Sequence, residues 1–196
     1  MKKCYDEFVK MVKVKCKELG VKLDLRRGKS IRVGGFRCGG CFEETPPTLI
    51  VAMGHSESKA LFAHEYCHLT QWADRIPIWG IAGESINFID EWLSGADVPD
   101  IEKHIAISRT LELDNEIRTT KIIEEYDLGI DRDLYVKKSN AYVLFYNWLL
   151  ISRKWSKPGN SPYVNERIIS IMSSEFDMNY ETLDPEITKV FIEEKI

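Results

Sequence analysis

Apolar residues recur along this chain first at helical, then at strand, then again at helical spacing. Tyr5, Phe8, Val9, Val12, Cys16 and Leu19 stand three or four apart with charges between them, which predicts an amphipathic helix ending near Gly20. From Val21 to Arg27 the period changes to two, with Val21, Leu23 and Leu25 alternating against Lys22, Asp24 and Arg26, the mark of a half-buried strand. Gly28-Lys29-Ser30 reads as a turn, and the Gly-rich stretch Ile31 to Phe42 has room for one or two further short strands. Pro46-Pro47 introduces Thr48-Leu49-Ile50-Val51-Ala52-Met53, the strongest strand signal in the chain.

Beyond Gly54 the pattern is helical to the end. A helix over about Ser56 to Ala73 contains no Gly or Pro, with Ser56 or Ser58 as candidate N-cap. Pro77 and Gly80 break the pattern, and Glu84 to Leu93 supplies a short helix with Ile86, Ile89, Trp92 and Leu93 on its apolar side. Asp100 to Tyr126 follows as a long helix whose apolar face comes from Ile105, Ile107, Leu111, Ile117, Ile122 and Ile123. Gly129 closes it, and another helix runs from Asp131 to Ile151, rich in aromatic residues (Tyr135, Tyr142, Phe145, Tyr146, Trp148) expected to pack in a core. After Pro158-Gly159-Asn160, two terminal helices are predicted over Val164 to Met172 and Pro185 to Glu194. The expectation is therefore an α+β fold, a small N-terminal β-sheet packed on a mostly helical body. With no internal repeat or linker, residues 1–196 read as one domain.

Composition narrows the function classes. A net charge of −4 over 196 residues gives no basic footprint, so broad nucleic-acid binding is not expected, although Lys and Arg are dense between Lys10 and Arg37. Charges interrupt the N-terminal stretch, so no secretory segment is read there. The apolar run Ala141 to Ile151 is too short to span a bilayer. Five cysteines, an odd count, point to reduced thiols and a cytoplasmic location. Cys38-Gly39-Gly40-Cys41 has no second close Cys pair to complete a four-ligand zinc site. It reads as a Gly-rich turn with incidental thiols.

The candidate chemistry lies in the helix after the strongest strand, at His64-Glu65-Tyr66-Cys67-His68. Residues four apart share a helix face, so His64 and His68 can direct two imidazoles at one metal ion. Glu65 flanks that face and is the candidate general base. A catalytic zinc needs a third protein ligand, and no His-x-x-Gly-x-x-His continuation follows His68. The downstream acids are Glu84, Asp90, Glu91, Glu112, Asp114 and Glu116. Glu112 and Glu116 stand four apart on the long helix, so one can ligate while the other orients a ligating imidazole. Glu112 is the favoured ligand.

His64-Glu65-x-x-His68 followed by Glu112-x-x-x-Glu116 resembles the gluzincin metallopeptidases. Their commoner second motif is Glu-x-x-x-Asp, the first acid a ligand and the second bonded to a ligating histidine. The resemblance implies a zincin-like body with Glu112 as ligand and Glu116 in the place of that Asp. Gly39-Gly40-Cys41-Phe42, the segment His64 to Trp72, the Glu112 segment and Asn140-Ala141-Tyr142 also resemble small metallopeptidases encoded by bacteriophages. An aromatic residue commonly stands there at the place of Cys41. That resemblance spans roughly Gly39 to Trp148 and would place the chain in a bacterial host cytosol.

The implied reaction is zinc-dependent hydrolysis of a peptide or protein substrate. The ion would acidify a water and polarise the scissile carbonyl, while Glu65 takes the water proton and passes it to the leaving amine. Tyr142, Tyr146, Arg118, His104 and His55 are candidate donors to the developing oxyanion, and the sequence does not choose among them. The strand Thr48 to Met53 could pair an extended peptide along an exposed edge. Alternative readings are a regulatory protease of the ImmA/IrrE type, a DNA-associated SprT-like protease, which usually carries a later zinc ribbon, and a zinc-stabilised interaction module without catalysis.

Overall fold

The computed structural model describes residues 2–33, 35–157 and 159–196. Pro158, in the break expected after the aromatic helix, and Gly34, in the Gly-rich stretch, lie outside the described residues. In chain order the elements are β1 (Lys3–Cys4), α1 (Tyr5–Glu18), β2 (Lys22–Arg26), β3 (Ile31–Val33), β4 (Phe36–Cys38), β5 (Gly40–Glu44) and β6 (Pro47–Ala52). They continue with α2 (Ser58–Ala73), α3 (Trp79–Leu93), α4 (Ile101–Glu125), β7 (Tyr126–Asp127), α5 (Arg132–Ser152), a 3-10 turn at Pro162–Val164, α6 (Glu166–Ser170) and α7 (Pro185–Glu193). The fold is α+β. The chain divides into two compact units, one of residues 1–76 and 115–130, the other of residues 77–114 and 131–196.

In the first unit, α1 forms where its sequence period demands, burying Phe8, Val12 and Cys16 at four-residue spacing. The Glu7 carboxylate accepts the backbone N–H of Cys4 at 2.6 Å and so caps the first turn. Gly20, at φ +66°, ends the helix in a conformation that favours glycine. Phe8 is the aromatic hub of the unit. Its ring meets Phe62 of α2 at 5.3 Å, Tyr66 of α2 at 5.8 Å and Tyr126 of β7 at 5.4 Å.

The three-stranded sheet of this unit has the order β2-β6-β5. β6 is central, parallel to β2 from Lys22↔Thr48 to Arg26↔Ala52 and antiparallel to β5 from Gly40↔Val51 to Glu44↔Pro47. Leu49, Ile50, Val51 and Ala52 are all buried, which explains the unbroken apolar run. This corrects the expectation of an exposed edge at Thr48 to Met53, because both edges of β6 already hold partner strands. The outer strand on the α2 side is β5, which packs with β6 against α2.

Cys38-Gly39-Gly40-Cys41 is likewise not an open turn. Cys38 ends β4, Gly40 begins β5, and both glycines lie against α2. A Cβ at Gly39 would come within 2.6 Å of the Leu61 side chain, and one at Gly40 within 2.7 Å of Glu65 Cγ and 3.1 Å of the Ile50 carbonyl oxygen. Strand and helix approach too closely there for any side chain. At the start of α2 neither serine caps. Glu57 occupies the N-cap position, and its backbone N–H donates to His55 Nδ1 at 3.0 Å.

In the second unit, α3 begins at Trp79, so Gly80 lies within its first turn rather than breaking the chain. Ile89, Ile105, Leu144, Phe145, Trp148, Leu149, Ile168 and Phe191 form the core. Asp131 caps α5 by accepting the Leu134 N–H at 3.0 Å. Buried amides on α5 then tie down the irregular C-terminal stretch. Asn140 Nδ2 donates to the carbonyls of Ser173 and Glu175 at 2.8 and 3.0 Å, and Asn147 Nδ2 to that of Tyr180 at 2.9 Å. Among the described residues, no helix is long and apolar enough to cross a membrane.

Candidate metal centre

α2 carries His64, Glu65 and His68, and each of these side chains has a specific setting. The two imidazoles face one another edge to face, with ring centroids 4.8 Å apart and planes at 85°. His68 Nδ1 lies 2.8 Å from Gln71 Oε1, one turn along the same helix. That carbonyl oxygen accepts, so Nδ1 carries the proton and Nε2 keeps the lone pair a metal requires. His64 Nδ1 lies 3.2 Å from Glu116 Oε1 on α4, and the same logic leaves His64 Nε2 as its donor.

α4 supplies the rest. Glu112, Asn115 and Glu116 fall on one face of it by their three- and four-residue spacing. α4 is unbroken through Glu112, Asn115 and Glu116, so helix geometry itself fixes where Glu112 stands relative to the other two. One ligand atom from each of His64, His68 and Glu112 lies within 4.8 Å of the other two, the one such group among the described residues. Two imidazole nitrogens and a carboxylate are the donor set of many catalytic zinc sites, so the residues fit the ion the motif implies.

Glu65 is not part of that group. Its side chain turns towards β5, where the backbone N–H of Phe42 donates to its carboxylate and Gly40 leaves room for it. Burial pushes its pKa up to about 7, the neighbouring Glu116 charge adding and His64 opposing. Burial likewise holds His68 down, to about 3, so that imidazole stays neutral and able to ligate.

No protein-family model, curated protein or solved structure matches this chain at a significant level. The functional reading therefore rests on the geometry of its own residues.

The candidate oxyanion donors have separate fates. Arg118 Nη1 donates to Asp74 Oδ2 at 2.6 Å and lies 3.3 Å from Thr70 Oγ1, so the guanidinium is engaged in clamping α4 to the end of α2. The hydroxyls of Tyr142 and Tyr146 are 3.3 Å apart. Tyr146 is buried, and burial, reinforced by the Glu112 charge, pushes its phenol far above the usual range, so it remains a proton donor. His104 Nδ1 lies 3.2 Å from Ser85 Oγ, and His55 serves the start of α2. All five cysteines are free. Burial raises the Cys38 and Cys41 thiols, the latter to about 12, so neither is a ready thiolate.

Three participants escaped the sequence reading: Gln71, Asn115 and Gly40. Gln71 and Asn115 are both fully buried. Their signal was present, Gln71 at three residues past His68 and Asn115 at three past Glu112. Polar residues recurring on the face of α4 that carries Glu112 and Glu116 mark a polar face turned inward.

Proposed function

We propose that this chain is a zinc-dependent metallopeptidase whose general base is Glu65. The observation that carries the reading is the convergence of His64, His68 and Glu112 donor atoms within 4.8 Å, with Glu65 beside the group but outside it. A bound zinc supplies Lewis-acid polarisation of the scissile carbonyl and acidification of water. The residues do the rest. Gln71 and Glu116 fix the tautomers of the two imidazoles. Glu65, anchored by the Phe42 N–H, accepts the proton of the attacking water and returns it to the leaving amine. Its pKa of about 7 suits both halves of that task near neutral pH. The Tyr142 and Tyr146 hydroxyls are the donors proposed for the oxyanion.

The substrate is a peptide or protein met in the cytoplasm, and the five free thiols favour a reducing compartment of that kind. A peptide strand is best accommodated along β5, the outer strand nearest Glu65, since β6 is paired on both sides.

Metal analysis tests the centre. Purified wild type should hold about one zinc per chain. His64→Ala and Glu112→Ala should lose it, whereas Glu116→Ala should keep a site weakened about 10- to 100-fold, because Glu116 acts through His64. Full retention in Glu112→Ala with loss in Glu116→Ala would reverse the two acids.

A further inference from the structure

Asn115 is fully buried, and its carboxamide points into the proposed centre. Nδ2 lies 3.0 Å from His64 Nδ1 and 3.2 Å from His68 Nε2, while Oδ1, also buried, has no hydrogen-bond partner. A buried acceptor left without a partner is costly, roughly 1–3 kcal/mol, and calls for a physical reason.

The tautomers supply one. His68 presents a lone pair at Nε2, because its Nδ1–H is given to Gln71. An amide N–H facing that lone pair is a good hydrogen bond. His64 presents an N–H at Nδ1, because Glu116 Oε1 is its acceptor. The same amide N–H facing that group opposes donor to donor. With the carboxamide turned over, Oδ1 would accept from His64 Nδ1–H but would confront the His68 lone pair, unless that lone pair is already given to a cation. Each orientation therefore suits one state of the centre. Amide oxygen and nitrogen differ little in size, so the turn needs no repacking.

We propose that Asn115 is a positioning residue of the metal centre, donating Nδ2–H to His68 Nε2 in the metal-free protein and presenting Oδ1 to the centre when a divalent cation is held. The uncompensated oxygen then belongs to the metal-free state alone, and its relief on loading adds to metal affinity. This inference rests on the centre proposed above, not on hydrolysis.

The test is zinc affinity by competition with a chromophoric chelator, for wild type, Asn115→Leu and Asn115→Asp, with circular dichroism to check folding. Leu keeps the volume and removes both polar atoms. Asp keeps an oxygen towards the cation and removes the N–H. Asn115→Leu should bind zinc at least about tenfold more weakly, the scale of lost outer-shell support. Asn115→Asp should bind no more weakly than wild type. A purely structural amide would make both variants equally weak, since both lose the N–H bond to His68. A Leu effect below tenfold, or an Asp variant weaker than wild type, overturns the proposal. If Asn115→Leu does not fold, the Asp variant decides alone by the same criterion. Wild type that binds no zinc at all would instead remove the centre itself.

Discussion

Glu65 is a carboxylate placed where charge is disfavoured, and that has a consequence for stability. Its pKa rises from 4.5 to about 7 on folding, chiefly by burial. Between those values the folded chain holds a proton that the unfolded chain has released, so stability falls as pH rises through the window. Below the unfolded value there is no penalty, and above about pH 7 it is complete, on the order of 3 kcal/mol for a shift of this size. His68 acts in the opposite sense. Its pKa falls from 6.5 to about 3, again by burial, so the unfolded chain takes up its proton first and stability drops as pH falls from 6.5 towards 3. The two effects oppose one another between about pH 4.5 and 6.5, and above that range only the Glu65 penalty remains. Chelator-stripped Glu65→Gln should therefore be more stable than stripped wild type at pH 8, with the advantage shrinking by pH 5, in urea unfolding followed by circular dichroism. A difference that does not vary with pH would show that Glu65 is not titrating in this way.

At the scale of elements, the decisive contact is β5 on α2. Glu65 reaches the Phe42 N–H only because Gly40 has no side chain. A Cβ there would sit 2.7 Å from Glu65 Cγ and 3.1 Å from the Ile50 carbonyl oxygen. Glu65 can swing aside, but the β6 backbone cannot give way cheaply. Gly40→Ala is expected to cost roughly 1–3 kcal/mol, the usual range for overpacking, and to displace Glu65 from its anchor. Thermal unfolding and zinc content check this together, because the two histidines face away from the clash and zinc should be retained. An unchanged melting temperature would mean that β5 and α2 separate freely.

Much of the element pattern was legible because period and burial coincide. α1, α2, α4 and α5 fall close to their expected spans, since each presents apolar residues at helical spacing without interior proline. The β5–α2 contact was hidden because glycine reports only that a side chain is absent, not what fills its place. β6 looked like an accessible strand because an apolar run does not say which of its edges is paired. α4 misled differently. Its sequence suggested Ile107, Leu111 and Ile117 as the buried face, yet Asn115, Glu116, Thr119 and Thr120 are the more buried residues. Hydrophobic periodicity finds faces that pack against apolar cores and passes over a face buried for its chemistry. The His64, Glu65, His68 and Glu112 set was readable because metal ligation imposes fixed residue types at fixed helical spacing.

For the whole molecule, the centre joins the second helix of the chain to its longest one. Residues distant in sequence thus come under one ion, and metal loading and folding should be coupled. The claim that matters most is that this arrangement hydrolyses protein with Glu65 as base. The most direct measurement is the appearance of new protein N-termini in cells expressing wild type or Glu65→Gln, with zinc measured in both purified proteins. The account predicts one zinc per chain in each, a defined set of new N-termini with wild type, and loss of that set by about 100-fold or more in Glu65→Gln. Equal cleavage by the two proteins, or no cleavage by zinc-loaded wild type, would contradict it.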